Sequence, residues 1–80
     1  MAPADIRILT QRKPFVPFRV VTSDGTCYEV RHPDLVMIGL SSVAIGYPSE
    51  RDPRSYERMD IISMRHIVRL EPEEQAIVEA

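Results

Sequence analysis

The chain has 80 residues, of which 44% are hydrophobic and 28% charged, a composition that fits one small globular domain and excludes a disordered chain. Its single cysteine, Cys27, excludes an intrachain disulfide and a thiolate zinc site. The net charge of −2 is unevenly spread: residues 1–70 hold all ten Lys and Arg against eight acids, whereas residues 71–80 hold four Glu and no base. We therefore expect one domain over 1–70 and an acidic tail over 71–80. The apolar run at 35–38 is far short of the roughly 20 residues of a membrane helix. The first residues are charged too early for a signal peptide. A cytoplasmic, reducing location is expected, with no membrane partner.

Residues 4–13, ADIRILTQRK, predict a helix. Asp5 suits its positive start, Arg12 and Lys13 its negative end, and Ile6 and Leu9 share a face. Pro14 stops it, because the residue before a proline avoids helical geometry. Two prolines then stiffen PFVPF, and Phe15 and Phe18 supply apolar anchors. Alternating runs on either side of Asp24-Gly25 predict a hairpin with a two-residue type I′ turn, with Phe18, Val20, Thr22, Tyr28 and Val30 on one face.

The next stretch, YEVRHPDLVMIG, reads as one long strand with His32-Pro33 inside it. A proline donates no ladder hydrogen bond and sits at edges, ends or bulges. The break therefore marks where one half of the strand leaves its first neighbour and the other half meets a second. SVAIGYP alternates with Val43, Ile45 and Tyr47 on one face. A polar loop over 48–54 leads to YERMDIISM, and RHIVRLE closes the series. Pro72 can open one or two further helical turns, with Glu73 and Glu74 in the first. One helix and about five closely spaced strands, without crossover helices, leave too little chain for a two-sheet sandwich. The expected fold class is mainly β: an N-terminal helix followed by a five-stranded, strongly bent antiparallel small barrel, SH3-like or Sm-like.

This order of elements resembles the Sm-like (Hfq-type) family, which has an N-terminal helix and a bent five-stranded barrel with a long kinked second strand. The segments FRVVTSDG, TCYEVRHPDLVMIG, SSVAIGYP, YERMDIISM and IVRLE would be the five strands. MRHIVRL, residues 64–70, is similar to the family's basic-residue-then-His step before its last strand. The resemblance implies a ring of copies and RNA contact through Arg65 and His66. The family's Asp-x-x-Asn-type loop is replaced here by GLSS. The string PFRVVTSDGTCYEVRHPDLVMIG also resembles a group of small bacterial proteins with a PFR…DG…YEV.HP pattern, which brings no activity with it.

Nucleophilic catalysis needs a nucleophile, a base and an orienting group in contact. Cys27 and His32 are about 16 Å apart along one strand at its rise, and the two histidines have no local ligand spacing. The three glycines form no phosphate-cradling loop. We expect no enzyme, no metal and no cofactor. For nucleic acid, Arg65 and His66 are the candidates, with Arg7, Arg12 and Lys13 on phosphate and Tyr47 and Tyr56 as rings that stack a base. For self-association, the strands SVAIG and MDIIS offer Val43, Ile45, Met59 and Ile61 as an oligomer edge. The expected partner is a second copy or another protein, with RNA as the alternative.

Overall fold

The computed structural model describes residues 1–73. Helix α1 (Pro3–Thr10) is followed by β1 (Phe18–Thr22), β2 (Cys27–Val30), β3 (Val36–Ile38), β4 (Ser42–Pro48), β5 (Tyr56–Ser63) and β6 (Ile67–Pro72). The strands form two three-stranded antiparallel sheets, ordered β2-β1-β6 and β3-β4-β5. This corrects the expected five-stranded barrel in two ways: the described residues form six strands, and no ladder among them joins the sheets into a closed barrel. The chain also proves long enough for two sheets to share one core. Short strands of three to eight residues make this feasible.

The extra strand comes from His32-Pro33. Pro33–Leu35 forms a 3₁₀ turn, capped where His32 Nδ1 accepts the Asp34 N–H at 3.2 Å. The turn separates β2, which pairs with β1, from β3, which pairs with β4. The exchange of neighbours follows the sequence expectation, but the break is complete rather than a kink.

Helix α1 starts with Pro3 in its first turn, where a missing N–H is tolerated. Asp5 accepts the Ala2 N–H at 3.1 Å. The helix ends at Thr10, three residues short of the expected Lys13. The Gln11 N–H closes it on the Arg7 carbonyl at 3.0 Å. Ile6 is fully buried and Leu9 packs beside it.

The β1–β2 hairpin forms as expected, with a different turn. Gly25 alone has positive φ, at 88°, so the two-residue type I′ turn is replaced by a three-residue loop. The Gly25 N–H reaches the Thr22 carbonyl at 2.9 Å, and the Thr22 N–H bonds the Thr26 carbonyl at 3.0 Å. Asp24 selects this geometry. Its carboxylate accepts the Thr22 hydroxyl and, at 3.0 Å, the Thr26 N–H. The Thr22 hydroxyl and then the Thr26 amide hold its pKa down from 3.8 to about 2. The ionised turn therefore stabilises the fold above pH 3.8, and that contribution disappears as the pH falls through about 2. Thr22→Val should move the Asp24 midpoint up toward 3.8, as followed by NMR titration of the carboxyl carbon. An unchanged midpoint would refute this assignment.

The core draws on both sheets: Phe18, Val20, Val30 and Ile67 from one, Val43, Ile45 and Ile62 from the other, closed by Ile6 and Met64. Phe15 meets Phe18 edge to face, with centroids 6.1 Å apart. At the end of the chain β6 runs on through Pro72, two residues past the expected end of the domain, and Glu71 and Pro72 pair with Arg19 and Phe18. The helix expected after Pro72 otherwise lies outside the described residues.

Candidate interaction surface

The outer faces of the two sheets differ in kind. On β2-β1-β6, the register places Arg19 between Glu29 and Glu71. Glu71 binds Arg69 at 2.6 Å and faces Arg19 at 3.2 Å, while Arg31 binds Glu29 at 3.0 Å. The Arg69 hydrogen bond holds the Glu71 carboxyl below the usual carboxylate range. Exposed pairs like these add little to stability, because water screens them. Their consequence is a hydrated face on which three arginines share two glutamates within the chain.

The outer face of β3-β4-β5 is apolar. Alternation turns Val43, Ile45 and Ile62 into the core, so their neighbours point out. Met37, Ala44 and Ile61 stand in one cross-strand row, and Gly46 and Met59 stand in the next. Met37 is 70% exposed, Met59 54% and Ile61 76%. The Tyr56 ring lies over Gly46, so close that a Cβ there would come within 2.9 Å of it. The glycine thus gives a ring on the neighbouring strand its seat. Contiguous apolar exposure is more common at interaction sites than on the rest of a protein surface.

Beside this face lies an open backbone edge. Among the described residues, β5 pairs only with β4. Of the four expected edge residues, Met59 and Ile61 lie here. Val43 and Ile45 do not: β4 is the middle strand, bonded on both sides, and both side chains are fully buried. Sequence alternation had placed them together on one face without showing that this face is the core.

Arg65 and His66 are adjacent and exposed on the 3₁₀ turn Met64–His66. Ser63 Oγ accepts the Arg65 N–H at 3.3 Å, and the His66 carbonyl accepts the Ser23 N–H at 2.8 Å. His66 lines an open cleft of about 440 Å³ with Ser23, Asp24, Tyr28, Ile62 and Ser63, among others. The cleft lies where β5 and the β1–β2 turn approach without a ladder. Asp24, ionised down to about pH 2, puts a negative charge where a phosphate would need a positive one. Arg7 belongs to α1, and Arg12 and Lys13 to the connector after it.

The two proposed stacking rings are both partly engaged. Arg58 sits 4.3 Å over the Tyr47 ring, and Tyr56 uses one face on Gly46. Burial pushes the Tyr47 phenol up, and the Arg58 side chain beside it partly opposes that shift. His32 is exposed at its turn, 3.6 Å from Asp34. No group of three or more possible metal ligands occurs among the described residues.

Comparisons with protein-family models, with curated proteins and with solved structures each return no match. No helix among the described residues is long and apolar enough to cross a membrane.

The sequence points to Met59 and Ile61 as an edge and to Tyr56 as a stacking ring, but gives no role to Met37. Met37 was legible in principle. In LVMI it alternates against Val36 and Ile38, so if those two face the core, Met37 must face away.

Proposed function

We propose that this protein is a non-enzymatic interaction module that self-associates through the outer face and open edge of β3-β4-β5, working in a reducing compartment. One observation carries the reading: Met37, Met59 and Ile61 lie exposed in adjacent registers beside a strand that is paired on one side only among the described residues. An apolar face and unsatisfied backbone groups together favour burial against another chain. The exposed, unpaired Cys27 suits a reducing setting.

The competing reading is an Sm-like ring that binds RNA. It draws on the exposed Arg65-His66 step, and Asp24 in the same cleft weighs against it.

Size-exclusion chromatography with light scattering, recorded at 260 and 280 nm, separates the two. The expected result is a mass above one protomer with little absorbance at 260 nm. Arg65→Ala with His66→Ala should leave that mass unchanged. Co-purifying nucleic acid that is lost in this double variant, with affinity falling steeply as salt rises, would replace the proposal with the RNA reading.

A further inference from the structure

Resting on that self-association, we propose the partner and the register: β5 pairs antiparallel with β5 of a second copy, with Met59 on the two-fold axis. At eight residues β5 is the longest strand described, and among the described residues only its β4 side is bonded. Closed two-fold assemblies use the same patch on both copies. An edge that pairs with itself needs no second surface.

Parity removes half of the possible registers. A slip of one residue turns every side chain to the opposite face. Only registers that place a residue opposite itself keep Met59 and Ile61 of both copies on one continuous outer face.

Charge then selects among those that remain. Arg58 and Asp60 point to the same side of β5, 3.1 Å apart, with side chains 62% and 28% exposed. Centring the pair on Arg58 or on Asp60 sets like charges directly opposite each other, which is unfavourable. Centring it on Ile61 sets Asp60 opposite the buried Ile62 of the second copy. Centring it on Met59 sets Arg58 opposite Asp60 twice, and the four charges then alternate around the axis. On the other side, Met59 meets Met59 of the second copy. Ile61 lies diagonal to that pair, within the roughly 7–8 Å reach of such neighbours. The two sheets become one of six strands, with both Met59 side chains at the centre of its outer face and each Ile61 opposite Glu57 of the second copy, the residue at which β5 bulges against β4.

Charge reversal tests this directly. Arg58→Asp and Asp60→Arg are made in separate chains and checked for folding by circular dichroism. Each alone should run as a monomer, because each sets like charges opposite twice. Mixed in equal amounts, the two should regain the parent mass, because every cross-axis pair is again opposite in sign. A folding defect would not be repaired by mixing. Independently, Met59→Cys in a Cys27→Ser background should form a covalent dimer under copper-phenanthroline. Ile61→Cys in the same background should cross-link at least tenfold more slowly. A parent dimer that shows neither rescue nor preferential cross-linking at position 59 overturns the register and leaves self-association standing. A parent mass of many protomers overturns the two-fold pairing in favour of a ring between different edges. A monomeric parent overturns both this inference and the reading beneath it.

Discussion

Ile45→Ala is expected to destabilise the chain by ~2–5 kcal/mol, the range for truncating a buried isoleucine or leucine. Ile45 is fully buried on the middle strand of β3-β4-β5, within the core cluster that joins both sheets. A domain of this length has a total stability of roughly 4–12 kcal/mol. The substitution therefore threatens folding itself. Urea denaturation followed by circular dichroism measures it, and a loss under about 1 kcal/mol would contradict the assignment of Ile45 to the core. Ile61→Ala, measured at concentrations where the chain is monomeric, should change stability by no more than about 0.5 kcal/mol, because that side chain is already in water. The same residue type on neighbouring strands thus gives opposite outcomes.

The second large effect falls on assembly. Met59→Lys with Ile61→Lys should weaken self-association at least about tenfold, or ~1.4 kcal/mol, while the circular dichroism spectrum stays that of the parent. Two ammonium groups would then stand on the apolar face, where association requires their dehydration. Lysines are also a common natural means of blocking an open strand edge. Light scattering should show the mass falling toward the 9.2 kDa of one chain. If the mass holds at the parent value across the micromolar range, the outer face of β3-β4-β5 is not the interface.

Both experiments depend on distinguishing a face turned inward from a face turned outward, and there the sequence carries half of the information. The period of two in SVAIGYP places Val43, Ile45 and Tyr47 together whatever the surroundings. It does not say whether β4 is a middle or an edge strand. β4 becomes the middle strand because β3 and β5 bond to its two sides, and the partner strands are brought there by the whole chain. For this reason the alternation alone gives Val43 and Ile45 as an exposed edge, where the structure buries both. The hairpin shows the same division at smaller scale. Asp24-Gly25 marked the turn, while the bonds from Thr22 and Thr26 to Asp24 favour the three-residue form.

The sequence by itself determined a helix near the N-terminus, to within one residue of its start, the reversal at Asp24-Gly25, the exchange of neighbours at His32-Pro33 and the sharing of faces along each strand. These depend on local backbone limits and on side-chain period, which act within a few residues. The tertiary structure alone decided that the barrel divides into two sheets, that β6 returns to pair with β1, and that the β5 edge carries Met59 and Ile61 beside Met37. Such pairings join segments up to some fifty residues apart. They are set by which combination buries the most apolar surface while bonding the most backbone, a condition that no short stretch of sequence contains.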